Sequence, residues 1–321
     1  MNPHLAALVG TVPPGSAVTL AVARPGGGEV LCHGRTAGDS GEPVTPDTGF
    51  ELGSVSKTFT ALLLAELAAR GEVRLRDTVT VSGVPLSLLH LATHTSGLPR
   101  VPPGLRRSAL PAWFSNPYAA FSAEELDRAL ERTRLRFPPG SRVQYSNFGV
   151  GLLGRVLAER SGGGYPGLLA ERVAGPLGLT GTGCEPGAAV GYFRGRALPP
   201  WRIPALPGAG AVRSSGRDLL RYLTLHLDPG GAPTPGLAAA LRDVQRPRLV
   251  KPRSADRLCL VWNLRPLPDG DVLFHSGGTR GFTAFVGFCP RRGTALAALT
   301  NSGPRFNSRF IQTGYRVFRG L

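Results

Sequence analysis

Ser54 and Lys57 stand three residues apart in Gly53-Ser54-Val55-Ser56-Lys57, which runs straight into an alanine- and leucine-rich stretch ending at Gly71. Proline is absent from that stretch and Gly71 stands where a C-cap belongs, so it reads as a helix. Apolar side chains cover nearly its whole circumference, the pattern of a helix sunk in a core. Ser54 falls at the first turn, where free backbone N–H groups and the positive end of the dipole favour developing negative charge. Lys57 shares its face, and burial depresses a lysine pKa, turning an ammonium into a proton acceptor for the serine. Composition sharpens the point: Lys57 and Lys251 are the only lysines in a chain whose other cationic side chains, histidine aside, are arginine. An amine that can lose its proton is something arginine does not supply.

Two further clusters carry reactive side chains. Tyr145-Ser146-Asn147 heads an apolar helix expected from Phe148 to Ser161, with Gly162-Gly163-Gly164 as its stop. Val272-Leu273-Phe274 reads as a short strand leading into His275-Ser276-Gly277-Gly278. Glycines at a strand end let a ligand approach the backbone closely, and the Gly278 N–H is placed to donate to an oxyanion.

The elements that must position these groups follow from periodicity and turn residues. Ala17–Ala23 and Glu29–His33 form an expected hairpin, and 34–48 an expected loop. Val73–Val81 reads as a connector and Leu86–Thr93 as a short helix ending at His94-Thr95-Ser96-Gly97-Leu98-Pro99, where His94 is expected to fix the turn. Residues 102–117 form a long loop, and Ser122 and Glu125 make a capping box for a helix to Arg132. Tyr165 to Gly175 is expected to be helical and 181–211 a Gly/Pro-rich stretch, followed by helices over Arg217–Leu227 and Pro235–Val244. Strands are expected at Leu258–Leu264, Val272–Phe274, Phe282–Phe288 and Thr294–Leu299. The segment from Arg305 to Leu321 is amphipathic, with Arg305, Arg309, Arg316 and Arg319 on one stripe and Phe306, Phe310, Val317, Phe318 and Leu321 opposite. It reads as a closing helix packed on the sheet with its arginines in water.

Composition bounds the function. At 321 residues, 42% hydrophobic and 18% charged, the chain is a globular protein with one large α/β unit or about two domains' worth of core. No apolar run is long enough to span a bilayer. The N-terminus shows no basic segment and Pro13-Pro14 cuts the apolar run, so no export leader is expected. Cys32, Cys184, Cys259 and Cys289 are scattered without metal-ligand spacing, which points to a reduced cytoplasmic setting with no metal and no cofactor. The net charge of +16 invites a nucleic-acid reading, but the arginines are spread along the chain without aromatic interleaving, so no nucleic-acid or membrane partner is expected. The expected partner is a small-molecule ester or amide, and nothing specifies an oligomeric state.

Ser54-x-x-Lys57, Tyr145-x-Asn147 and His275-Ser276-Gly277, in that order, resemble the serine β-lactamase and penicillin-binding-protein superfamily, in its class C-like branch of esterases, D-peptidases and transacylases. His94–Pro99, Phe137-Pro138-Pro139-Gly140 and Gly277-Gly278-Thr279 before Gly281-Phe282 extend the resemblance to essentially the whole chain. It implies an α/β (α+β) fold: an antiparallel sheet of five or more strands from both chain ends, flanked by helices, plus a mostly helical subdomain. Residues 1–321 would be one catalytic domain, with the α/β part at about 1–80 and 210–321 and the helical part at about 81–209. It also implies that Ser54 attacks a carbonyl while Lys57 and Tyr145 manage its proton, the Lys57 ammonium drawing the tyrosine pKa down. Asn147 would hold Lys57 and the substrate's amide, and His275, titrating near neutrality, would support Tyr145 or protonate the leaving group. The N–H groups of Ser54 and Gly278 would form the oxyanion hole. Ser276 and Gly277 would contact substrate, and Arg280 would bind a carboxylate bidentately. Histidine at 275, where β-lactam-processing relatives carry lysine, points to an esterase-like hydrolase. An acyl transferase, a D-peptidase or a weak β-lactamase on the same fold is the alternative. An inactive basic binding protein is the rival of another class, opposed by the intact Ser54, Lys57, Tyr145 and Asn147.

Overall fold

The computed structural model describes residues 1–112, 114–185, 187, 189–252, 254–304 and 308–321. Eight strands form one sheet: Val18–Arg24 (β1), Gly27–His33 (β2), Leu249–Val250 (β3), Arg257–Leu258 (β4), Asn263–Arg265 (β5), Val272–Gly278 (β6), Thr283–Cys289 (β7) and Thr294–Thr300 (β8). Their order is β3-β4-β5-β6-β7-β8-β1-β2, antiparallel throughout. The N-terminal hairpin thus joins the C-terminal meander through β1, where Val18 opposes Thr300 on one side and His33 on the other.

Both faces of the sheet are covered, which explains why β1, β7 and β8 read as apolar runs and not as alternating strands. Side chains still alternate. Val18, Leu20, Val22, Leu296 and Ala298 meet Leu5 and Leu8 of helix α1 (Pro3–Val9) and Phe310, Val317 and Phe318 of the C-terminal helix Arg309–Arg319. Ala21, Ala23, Ala295, Ala297 and Leu299 face the larger core, which contains α2 (Ser56–Ala69), α3 (Ala123–Arg132), α4 (Asn147–Arg160), α5 (Gly216–Leu227) and α6 (Pro235–Asp243). The C-terminal helix, α7, turns Arg309 and Arg316 outward as expected, while Arg305 and Phe306 lie outside the described residues.

Local signals were reliable where they act within one turn. Ser122 Oγ accepts the Glu125 N–H and the Glu125 carboxylate accepts the Ser122 N–H, closing the expected capping box. Every residue of α2 from Ser56 to Leu67 is buried, matching its all-round apolar surface. The differences lie where pattern is short. Thr78–Val81 and Val84–Ser87 form a hairpin across Ser82-Gly83, the first strand inside the stretch read as a connector and the second running into the start of the helix expected from Leu86, which begins at Leu88. Helix α1, capped by Asn2 and opened by Pro3, is seven residues long, too short to show a period. The apolar run from 258 to 264 is not one strand. It folds back at Val261, where Cys259 N–H reaches the Trp262 carbonyl at 2.9 Å and Val261 N–H reaches Ala92 at 2.9 Å. Apolar character there reports burial on all sides and not extension.

Candidate active site

Ser54 lies in the one-turn 3-10 helix Gly53–Val55, which continues directly into α2. The i, i+3 spacing brings Lys57 Nζ to 3.1 Å from Ser54 Oγ. Lys57 is fully buried, and Nζ donates to the Ala209 carbonyl at 2.6 Å. Burial, with the Arg100 guanidinium as a smaller cause, holds the Lys57 pKa well below its ordinary 10.5. Once deprotonated, the amine, with one N–H engaged by Ala209, presents its lone pair to the serine proton.

The Tyr145 ring sits beside this pair. Lys57 Nζ is 5.0 Å from the ring centroid, and the hydroxyl lies near enough to the Ser54 side chain to interact with it. The expected lowering of the Tyr145 pKa by a lysine cation is overturned: burial dominates and pushes it up to about 12. Tyr145 is therefore a phenol at neutral pH, a proton donor and not a base. His94 fixes its turn, at φ 57°, and its Nδ1 accepts the Ser146 N–H at 3.2 Å. Its ring packs 4.6 Å from that of Tyr145, so the histidine also sets the tyrosine's position. The Arg100 guanidinium lies 5.1 Å from the same ring, and the Arg100 carbonyl accepts the Asn147 N–H at 2.9 Å at the head of α4.

Asn147 is placed differently from expectation. Its Nδ2 donates to the Tyr118 hydroxyl at 3.0 Å and its buried Oδ1 has no partner, so Lys57 is held by Ala209 instead. His275 is buried, with Nδ1 2.9 Å from the Ser276 carbonyl. Nδ1 therefore carries the proton and Nε2 the lone pair. Burial, then the nearby Lys57, push its pKa to about 3, which corrects the expectation of a group titrating near neutrality.

Strand β6 presses its glycines onto the serine turn. A side-chain carbon at Gly277 would lie 2.1 Å from the Leu52 carbonyl oxygen and 2.8 Å from the Ser54 nitrogen, so only glycine lets the strand come this close. Thr279 N–H bonds to the Phe282 carbonyl at 3.0 Å; since N–H directions alternate along a strand, the Gly278 N–H points the other way, past the end of the β5 pairing at Phe274. Gly53, at φ +51°, packs on that residue, which brings the backbone of the serine turn against the strand end. By the same alternation the Ser276 side chain faces away from Ser54. It lines a cavity of about 1100 Å³ against α7 with Phe274 and Tyr315, which removes its hydroxyl from the expected substrate contacts. Arg280 lies beyond the strand end with its guanidinium 5.9 Å from the Phe193 ring. Ala209 and Tyr118 escaped the sequence reading because each reaches the site from a segment without a motif, and Arg100 because the motif before it ends at Pro99.

The buried histidines have a consequence for stability. His275, and His226 in the core with its pKa pushed to about 4 by burial, both sit below the ordinary 6.5 in the folded chain. The native state then binds fewer protons than the unfolded one, so stability present above pH 6.5 falls as pH drops toward 4, by several kcal/mol in order of magnitude. The melting temperature measured from pH 7.5 to 4 should fall, and should fall less in His226→Gln; a flat profile contradicts the burial of both imidazoles.

A serine hydroxyl beside a buried amine and a phenol, at the seam of a strand end and a helix head, defines a serine hydrolase of the acyl-enzyme type. Residues 10–317 match the Beta-lactamase family model, and the chain belongs to that family. Among curated relatives, it is 28% identical over 284 residues to the D-alanyl-D-alanine-carboxypeptidase/endopeptidase AmpH of Escherichia coli K12, covering 80% of this chain and 72% of that protein. It is 27% identical over 330 residues to a beta-lactamase of Pseudomonas fluorescens, covering 88% of each. In fold it is similar to a class C beta lactamase from Rhodobacter sphaeroides, with TM-score 0.84 at 24% identity over 99% of both chains. A beta-lactamase/D-alanine carboxypeptidase from Pseudomonas syringae superposes with TM-score 0.81 at 23% identity, over 95% of this chain and 93% of that one.

Proposed function

We propose that this serine hydrolase is esterase-like, forming an acyl-enzyme at Ser54 from small activated esters or amides. The observation that carries the reading is the buried Lys57 amine 3.1 Å from Ser54 Oγ. Ser54 Oγ attacks the carbonyl carbon as Lys57 Nζ takes the hydroxyl proton. The negative charge on the carbonyl oxygen falls to the N–H groups of Ser54 and Gly278, each such donor worth about 3–4 kcal/mol. Collapse breaks the bond to the leaving atom, which receives a proton from the Tyr145 hydroxyl, and Lys57 returns its proton to Tyr145. Water then attacks the acyl-enzyme by the reverse relay. His275, neutral throughout, contributes a hydrogen bond and no charge. In this reading residues 1–80 and 210–321 carry the serine and the oxyanion strand, and 81–209 carry the tyrosine. Four free cysteines fit a reducing, cytoplasmic setting.

Histidine at 275 carries the substrate preference. A lysine there would hold a permanent cation for a β-lactam carboxylate; a neutral imidazole does not. Comparing kcat/KM for p-nitrophenyl acetate or butyrate with that for nitrocefin should favour the esters by about a hundredfold, or roughly 3 kcal/mol. His275→Lys should narrow the gap. If nitrocefin is the better substrate of the unmodified protein, the esterase reading gives way to a β-lactamase.

A further inference from the structure

We propose that Glu51, Thr279 and Arg213 form a positioning clamp that fixes the serine turn, the oxyanion strand end and the carbonyl acceptor of Lys57 against one another. The inference rests on the acyl-enzyme reading above and assigns no chemistry to the three side chains. Each stands a few residues from a different part of the site. Glu51 precedes Ser54 by three residues, Thr279 follows Gly278, and Arg213 follows Ala209 by four.

The carboxylate joins all three. Glu51 Oε2 accepts the Thr279 hydroxyl at 2.7 Å, and Oε1 accepts the Trp201 N–H at 2.7 Å and Arg213 Nη2 at 3.5 Å. Thr279 Oγ1 in turn accepts the N–H groups of Gly281 at 3.3 Å and Phe282 at 3.1 Å, closing the turn directly after Gly278. Arg213 spends its remaining donors on carbonyls of the loop behind Lys57: Cys184 at 2.7 Å, Ala211 at 3.3 Å and Trp201 at 2.5 Å. The backbones lock in parallel. Glu51 pairs with Arg213 in a two-stranded ladder, Leu52 N–H reaches the Val212 carbonyl at 3.0 Å, and Val212 N–H reaches Ser56 Oγ at 3.0 Å.

Burial makes this arrangement costly unless it has a use. The two side chains are 4% and 9% exposed, and among the described residues no other ion pair has both partners at 9% or less. A buried pair of this kind adds little net stability over apolar residues of the same volume, but it specifies one geometry, because each donor has one acceptor that satisfies it. The geometry it specifies is the one the site needs: Gly53 lies against Gly278, and Ala209 lies 2.6 Å from Lys57 Nζ. Glutamate at 51 escaped notice in the sequence because it lacks a motif of its own, and Arg213 because it is one of many arginines.

The test uses the full chain with Glu51→Gln, Thr279→Val and Thr279→Ser, read by fluorophosphonate labelling rate, by kcat and KM for p-nitrophenyl acetate, and by hydrogen–deuterium exchange. Glu51→Gln and Thr279→Val should lower kcat and the labelling rate ten- to a hundredfold, the scale of a slightly misplaced oxyanion donor, with KM within about twofold. Exchange should quicken at 278–282 and 207–213 and nowhere else. Thr279→Ser keeps the hydroxyl and should keep the rate within about threefold of the unmodified protein. Equal losses in Thr279→Val and Thr279→Ser, or unchanged kcat and exchange in Glu51→Gln, overturn the clamp. An unmodified protein that neither labels nor turns over esters removes the hydrolase reading instead. The clamp is then decided by exchange alone: local quickening supports it, and unchanged or uniform exchange overturns it.

Discussion

Ser54→Ala should abolish covalent labelling by a fluorophosphonate and lower ester turnover by on the order of 10⁴–10⁶-fold, the loss seen when a nucleophile is removed from a set of groups that act as a unit. Its melting temperature should barely change. Ser54 is half-buried, its side chain caps no helix, and α2 carries its own weight through twelve buried residues from Ser56 to Leu67. The contrast between lost chemistry and kept stability is what makes the result diagnostic. Intact-mass spectrometry of the labelled protein reads it directly. An adduct that persists on the alanine variant, at any other residue, sinks the nucleophile assignment.

Lys57→Arg should cost almost as much, about 10³-fold or more in kcat/KM, although positive charge is formally retained. The lysine is needed as an amine: burial lowers its pKa and so favours the deprotonated form, and Nζ divides its contacts between Ser54 Oγ and the Ala209 carbonyl. Guanidinium stays protonated and is larger, so the variant buries an unpaired cation in a full site and should also melt earlier. Lys57→Met separates the two effects. It should be as inactive as the arginine variant yet at least as heat-stable as the unmodified protein, since no amine remains to desolvate. In the unmodified protein kcat/KM should rise with pH as Lys57 deprotonates, level off at a point well below 10.5, and show no limb from His275 between pH 4 and 9. Near-normal turnover in Lys57→Arg would mean that only charge matters at this position.

What could be read from the chain alone divides by distance along it. The Ser54–Lys57 contact is one helical turn, so spacing suffices. The Ser122 capping box is as local, and its expectation held to the residue. Order and motif placed Tyr145 and His275 near Ser54, but not their protonation. Both are surrounded by segments from elsewhere in the chain, and burial by those segments moved Tyr145 up, against the expected lowering, and took His275 down from the expected titration near neutrality. Asn147 shows the same limit in hydrogen bonding. Its helix-start position was legible, whereas the Tyr118 hydroxyl that takes its amide comes from just beyond the long loop expected at 102–117, where no motif pointed to it. Ser276 was misplaced for a simpler reason: in a strand, neighbouring residues of one motif face opposite sides of the sheet.

The way the sheet closes governs when the enzyme becomes active during its own synthesis. The strand that seats the serine turn, β6, and the strand that completes the sheet around β1, β8, both follow that turn by more than two hundred residues. At about 5–20 residues per second, the nucleophile waits many seconds for its oxyanion partner. Until β8 is made, β1 lacks the partner of one of its two edges, and an unpaired apolar strand edge is a template for pairing with other chains. Without β6 the nucleophile helix has no strand end to complete its site, and without β8 the apolar strand β1 lacks a neighbour on one side.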